Sequence, residues 1–343
     1  MEKIEEIVIV GGGPSGAYCA FNLAINGIFP IIFDPSHPRE KACGGRVQAE
    51  IIKKFPFIEN ILKKNASLTN LKMVFDEKNY QELEFLKGYN ISRKDFDIEI
   101  LRMAIKKGAI LIKERVIDIE RVENNKKNKK ESNKIKKKNS YWIIKTNKQT
   151  LKTKILVGAD GAKSLVRRKT IGPIAKKNLA IGYGYLATGI EKDISVVKFF
   201  NKIPGYIWIF PRRDNTNIGI GTELRYEKQL QKLLNRYILS NYPKMKIVPN
   251  SQFKALLPYA KDPNFFTKYS CCGEDWILIG DAAGHVNPIN GEGIPYALWS
   301  GKLASEAIKE GNLKKYQDKW KKQYGNKLIN YCKSKQFNPI FKN

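Results

Sequence analysis

Gly11, Gly13 and Gly16 are spaced G-x-G-x-x-G in the stretch GGGPSG, between the apolar run IEEIVIV and the segment AYCAFNLAING. Strand, glycine turn and helix in that order give a tight bend, close approach of main chain to a pyrophosphate, and a helix N-terminus aimed at the anion. Ser15 lies inside the same turn, and Asp34 ends the next apolar run, IFPIIFD, 18 residues after Gly16. A carboxylate there can accept hydrogen bonds from a ribose. Cys43 then stands directly before Gly44 and Gly45 in REKACGGRV, a weakly acidic thiol beside bare backbone. One glycine fingerprint leaves NAD and FAD both open.

The elements needed to hold these residues are readable along the chain. Residues 4 to 34 read as strand, turn, helix and strand, a βαβ unit. Residues 92 to 107, SRKDFDIEILRMAIKK, begin on a capping serine and place Phe96, Ile100, Leu101, Ala104 and Ile105 on one helical face. AILIKERVIDIERV follows as one or two strands, and NNKKNKKESNKIKKKNS, residues 124 to 140, reads as a solvated extension of a hairpin. YWIIKT, TLKTKILVGADG and DWILIGDAAG return to apolar strands. Between them, residues 178 to 260 alternate and are rich in aromatics, the pattern of an antiparallel sheet. The fold class expected is α/β: a Rossmann-like nucleotide-binding domain over 1–60, 86–175 and 268–310, an inserted antiparallel β-sheet substrate domain over 61–85 and 176–267, and C-terminal helices over 311–343.

Two further segments, VGADGAKSLVRR at 157 to 168 and ILIGDAAGHVNPINGEGI at 277 to 294, resemble the remaining fingerprints of the aromatic-hydroxylase type of FAD-dependent flavoprotein, which includes the geranylgeranyl reductases. The resemblance implies FAD as cofactor. It implies that Asp281 binds the ribityl or pyrophosphate region, that Gly291, Gly293 and Ile294 bring a helix N-terminus to the pyrimidine edge, that Arg93 lies near the phosphates, and that Val116 holds the adenine. A helix N-terminus suits that edge because reduced flavin is anionic there. EKACGG resembles the K-x-C-G-G segment of geranylgeranyl reductases, implying that Cys43, Gly44 and Gly45 lie beside the flavin ring. GYIWIFPRR resembles their Y-x-W-x-F-P motif, implying that Tyr206, Trp208, Phe210 and Pro211 line a lipid pocket. The implied reaction is hydride transfer to an isolated double bond of a prenylated lipid, with Cys43 or Tyr206 as the catalytic proton donor. Arg46 departs from the pattern, standing where many relatives have a third glycine. Two other readings share some of these features: a flavin monooxygenase or halogenase of the same fold, and a non-catalytic flavoprotein associated with nucleic acid.

The chain of 343 residues carries 62 Lys and Arg against 33 Asp and Glu, a net charge of +29. Lys is abundant together with Asn and Ile, a general compositional habit that accounts for much of this excess. The rest favours anionic lipid, phosphorylated substrates or an acidic electron donor such as ferredoxin, with NAD(P)H as the alternative donor. Residues 124 to 140 lack the aromatic interleaving that would mark a nucleic-acid-binding arm. Five cysteines without CxxC spacing and two separated histidines, His37 and His285, support neither a disulfide framework nor a metal site. The start MEKIEEIVIV lacks a signal-peptide pattern, and no apolar run reaches membrane-spanning length. The expected location is the cytoplasm, with peripheral attachment to the inner face of the cell membrane.

Overall fold

The run Ile4–Val10 forms strand β1, whose last four residues are all buried, as a central strand covered on both faces requires. The computed structural model describes residues 4–75, 80–123, 140–190, 193–200 and 203–337. The Lys-rich extension therefore lies outside the described residues, apart from Ser140.

β1 pairs in parallel with β2 (Ile31–Phe33) on one side and β9 (Thr150–Gly158) on the other. β2 pairs in turn with β6 (Ile110–Ile112) and β9 with β16 (Trp276–Leu278), so five parallel strands form the body of the first sheet. β8 (Ser140–Thr146) and β7 (Val116–Glu123) add an antiparallel flap. The AILIKERVIDIERV segment thus makes two strands, β6 and β7, at opposite edges of one sheet.

The second sheet runs in the order β14 (Lys246–Ile247), β10 (Leu179–Thr188), β13 (Thr216–Glu223), β12 (Gly205–Pro211), β11 (Ile194–Phe199), β4 (Ser67–Val74), β5 (Tyr80–Asn90) and β3 (Arg46–Gln48), with β15 (Phe253–Pro258) also pairing β10. Its pairings are antiparallel except β11 with β4. β3 and the end of β5 fall in stretches that the sequence pattern places with the nucleotide half. The chain crosses to the second sheet directly after Gly45.

The two faces of the second sheet differ. Ile181, Tyr183, Ile207, Ile209, Ile218 and Ile220 pack under Leu230, Leu234 and Ile238 of the helix Leu230–Asn241. Burial of each large apolar side chain there contributes about 1.5–3 kcal/mol. The opposite face carries Trp208 and Phe210 and turns toward the first sheet.

Ser92 caps the helix Arg93–Lys106, its hydroxyl accepting from the Lys94 amide. Phe96, Ile100, Leu101 and Ala104 are wholly buried, but Ile105 is 39% exposed. Nine residues on from Phe96, Ile105 is turned half a revolution away, onto the solvent face. The helices Pro14–Ala24 and Ile294–Lys309 cross where Gly301 has no side chain, since a Cβ there would lie 2.5 Å from the Ser15 carbonyl oxygen. That contact brings both helix N-termini to the same end of the molecule.

Candidate active site

A cavity of about 480 Å³ lies between the loops of the first sheet and the Trp208 face of the second. Gly13 and Ser15 from one helix start, and Gly293 and Ile294 from another, open onto it. Gly13 and Gly293 are the N-caps, and neither makes a side-chain capping hydrogen bond. The first-turn amides of both helices therefore offer donors, and a partial positive charge, to an anionic ligand. Arg39, Lys41 and Lys163 add cations to the wall, and Asp281 adds a carboxylate paired with Lys41 at 3.2 Å. A dinucleotide with a pyrophosphate and a ring that becomes anionic on reduction fits this donor set. Gly16 is tied to it indirectly, because a Cβ there would strike the Gly11 carbonyl oxygen at 1.9 Å.

The Cys43–Gly44–Gly45 turn is fastened to the second sheet. Arg212, directly after the Trp208–Pro211 segment, donates to the carbonyls of Cys43 at 3.4 Å and Gly44 at 3.3 Å, and to Glu40 at 3.0 Å. Glu40 also accepts from Ser92 Oγ at 2.5 Å, so one carboxylate joins the turn, the second sheet and the helix at Arg93. Gly44 lacks a side chain because the Phe210 ring lies 2.7 Å from where its Cβ would be. Gly45, at φ +77°, packs against the Ile91 carbonyl in the same way. The two motifs, 165 residues apart between Cys43 and Trp208, are one structural unit.

Trp208 lies flat on the second sheet across a glycine bed. A Cβ at Gly219 would be 2.2 Å from the indole, and those at Gly221 and Gly182 would touch it at 3.5 and 3.6 Å. Asn217 Oδ1 accepts from the indole N–H at 2.6 Å and sets the ring's direction. Tyr206, Trp208 and Phe210 all line the cavity with Cys43 and Gly44. Pro211 does not; its carbonyl accepts from Asn90 at 2.8 Å inside the sheet. The Tyr206 hydroxyl donates to the Asn290 carbonyl at 2.5 Å, which commits the proton that the sequence offered for catalysis. Burial pushes its pKa up, with Cys43 and Glu292 adding to the effect.

A buried chain of ionisable groups leads from Asp34 to the thiol. Asp34 accepts from the Gly12 amide at 2.7 Å, the Ser36 amide at 2.7 Å and Ser36 Oγ at 2.6 Å, which occupies most of its acceptor sites. Burial opposes its ionisation, but His37 and these donors hold its pKa below the usual carboxylate range. His37 lies 3.1 Å from Asp34 and 3.6 Å from Asp97. Asp97 takes a bidentate pair from Arg93 at 2.7 and 2.8 Å, and Arg93 also interacts with the Cys43 thiol. Burial disfavours charge on Arg93 too, yet Asp97 and Cys43 outweigh it and raise its pKa. Arg93 lines the cavity at its thiol end.

Val116 opens β7 at the sheet edge, packs on the core and does not line this cavity. Arg46, which stands where many relatives have a glycine, turns into the second sheet. Its guanidinium donates to Thr69, Asn90, Ser195 and the Leu86 carbonyl, and lies 5.9 Å from the Phe210 ring centre. Burial brings its pKa down to about 10. Sequence reasoning missed Arg212, whose only signal is its place after Phe210–Pro211, and Glu292, which lies between the two cavity-lining glycines. Burial raises the Glu292 carboxyl to about 7 against the pull of Lys327 and Arg46. His285 is wholly buried between Trp320 and Tyr324, accepts or donates at 2.9 Å to Tyr324, and is pushed down to about 3 by burial and Arg167. It packs the core, as do Cys271 and Cys272. Among the described residues no cluster of potential metal ligands occurs and no helix is long and apolar enough to cross a membrane.

Residues 178–252 match the model of the geranylgeranyl reductase catalytic domain. The chain is 31% identical over 327 residues to an uncharacterised protein of Methanosarcina barkeri, covering 89% of this chain and 75% of that one. It is 26% identical over 362 residues to the digeranylgeranylglycerophospholipid reductase of Methanocaldococcus jannaschii, covering 97% and 86%. Among solved structures, a geranylgeranyl bacteriochlorophyll reductase-like protein from Thermoplasma acidophilum superposes with a TM-score of 0.79 at 21% identity, covering 98% of this chain and 88% of that one.

Proposed function

The chain belongs to the geranylgeranyl reductase family, and on that premise we propose that it is an FAD-dependent oxidoreductase saturating isolated carbon–carbon double bonds of geranylgeranyl chains in membrane lipid biosynthesis. The observation that carries the reading is the single cavity walled by two uncapped helix N-termini on one side and by Trp208, Phe210 and Tyr206 on the other. FAD supplies, when reduced and bound there, the hydride that an unactivated alkene needs. Gly13 and Ser15, with Arg39 and Lys41, would hold its pyrophosphate, and Gly293 and Ile294 would offer amide donors to the ring edge that becomes anionic on reduction. Trp208 and Phe210 give the prenyl chain an apolar bed and exclude water from it.

Cys43 donates the proton. Its S–H bond breaks as the new C–H bond forms on the alkene carbon opposite the one that takes the hydride. The thiolate left behind pairs with Arg93 until solvent returns a proton. Tyr206 holds the Asn290 loop in place and keeps its own proton there. The excess of 62 basic over 33 acidic residues supports docking on anionic lipid and an acidic electron donor such as a ferredoxin, with NAD(P)H as the other candidate.

Anaerobic incubation of the flavin-loaded protein with dithionite and a digeranylgeranyl phospholipid, followed by mass spectrometry, tests the reading. Each reduced bond adds two hydrogens, and Cys43→Ala retains flavin while losing about 10²-fold in rate. Unchanged lipid mass with full flavin occupancy overturns the reductase. Full activity in Cys43→Ala overturns the thiol as donor. Oxygen-dependent hydroxylation or halogenation would assign the same fold to its other chemistry.

A further inference from the structure

We propose that a second, basic cleft next to the active-site cavity binds a phosphate or diphosphate group at the end of the prenyl substrate. The cleft, of about 430 Å³, is lined by Lys176, Lys177, Arg225 and Lys261, with Glu223 as its one carboxylate. The inference rests on the prenyl reductase reading and adds a separate site for the charged end of the substrate, outside the cavity that takes its chain.

The placement follows from strand register. Side chains two apart on a strand share a face. On β13, Gly219 and Gly221 bed the indole, and Glu223 is the next residue on that face, about 7 Å further along. Ala180 of β10 pairs with Glu223 on one side and with Leu257 of β15 on the other. Leu257 lines the active-site cavity and Glu223 lines the basic cleft. The basic cleft therefore lies at the end of this rung, where Leu179 and Leu224 of the other face also line it, and Glu223 stands about 10 Å from Leu257 across two strand spacings. A chain laid along the face from Trp208 runs out over Ala180 and Leu257 and ends at the cations.

The charge of the cleft suits an anion. Glu223 accepts from Arg225 Nε at 3.0 Å and from Lys261 Nζ, so the carboxylate aligns these two cations. Lys176 and Lys177 have no carboxylate partner among the described residues. Four cations against one carboxylate leave a charge of +3 around the opening. Guanidinium and ammonium groups in this number match the charge of a phosphate ester, and an uncharged prenyl alcohol would forgo the interaction.

The test compares the flavin-loaded wild type with the triple variant Lys176→Gln, Lys177→Gln, Arg225→Gln on three substrates: geranylgeranyl diphosphate, a digeranylgeranyl phospholipid in detergent, and geranylgeraniol. In parallel, binding of inorganic pyrophosphate to each protein is measured by equilibrium dialysis. The expected result is a KM for a phosphorylated substrate raised roughly tenfold or more with kcat within about twofold, and no change for the alcohol. Pyrophosphate is expected to bind the wild type and to bind the variant at least tenfold more weakly. A raised KM for the diphosphate alone assigns the site to a free prenyl diphosphate, and one for the phospholipid assigns it to a lipid headgroup. Equal KM values in both proteins, with equal pyrophosphate binding, overturn the cleft while leaving the reductase intact. Failure of both proteins to reduce any of the three substrates overturns the reading on which the cleft depends.

Discussion

Gly16 and Gly219 are both glycines because a side chain would collide, but with different things. At Gly16 a Cβ would lie 1.9 Å from a main-chain carbonyl, whereas at Gly219 it would lie 2.2 Å from the Trp208 ring. The first sheet offers main-chain amides at two helix starts, beside the side chains of Arg39, Lys41 and Asp281. The second sheet removes side chains so that one large aromatic can lie flat. On the proposed reading, the cofactor meets main-chain geometry that cannot yield, and the substrate meets a side-chain bed that can be repacked.

Gly16→Ala is the severest test of that contrast. The obstruction is backbone, so the turn must open; we expect loss of stoichiometric flavin binding and destabilisation by about 3 kcal/mol, read from the flavin-to-protein absorbance ratio and denaturant unfolding. Retention of tightly bound flavin would show that the first sheet is as adaptable as the second. Gly219→Ala should do less. Flavin stays bound, stability falls by about 1–3 kcal/mol, and kcat/KM for the prenyl substrate falls about tenfold, because the indole is lifted from its bed. Adding Trp208→Leu to Gly219→Ala should restore most of the stability but not the turnover, which separates packing from substrate contact.

The smallest effect concerns Glu292, at the seam between the halves. Its carboxyl is raised to about 7 in the folded chain by burial, from an ordinary value of 4.5. The folded state thus holds this proton more tightly than the unfolded state. The group costs nothing below about pH 4.5, and its penalty grows to full size as pH rises through about 7. Glu292→Gln should therefore stabilise the protein by about 1–2 kcal/mol at pH 8, less than the roughly 3 kcal/mol of the full shift because the residue is partly exposed, and leave it nearly unchanged at pH 4.5, measured by urea unfolding at both values. Equal gains at both pH values would trace the effect to shape and not to ionisation.

Much of the first sheet was legible because its devices are local. A glycine spacing, a carboxylate at a strand end and a helix start all lie within Gly11–Asp34 and repeat their logic at Asp281–Ile294. The second sheet was legible only as alternation. Nothing in the sequence pairs Trp208 with Gly182, since that contact depends on the register of β10, β13 and β12. For the same reason Gly44 and Gly45 read as bare turn residues when they are packing surfaces for Phe210 and the Ile91 carbonyl. Arg46 and Arg212 were opaque for another reason: a buried guanidinium is defined by the acceptors around it, and those come from β4, β5 and β11 for Arg46 and from the Glu40–Gly44 loop for Arg212. His285 went the other way, because a lone histidine between apolar residues is most simply a core residue, and it is one.

Arg212 has one more consequence, for how such a protein can change over generations. The Cys43–Gly45 turn is carried by the nucleotide half but anchored by an arginine of the other half, and the chain enters the second sheet at the next residue after Gly45. A substrate half borrowed from a distant relative would arrive without the Arg212 donor that holds this turn, and the thiol would drift from its partner. New specificities should therefore arise by point changes in the bed beneath Trp208 and in the cations at its end, while the two halves travel together as a single heritable piece.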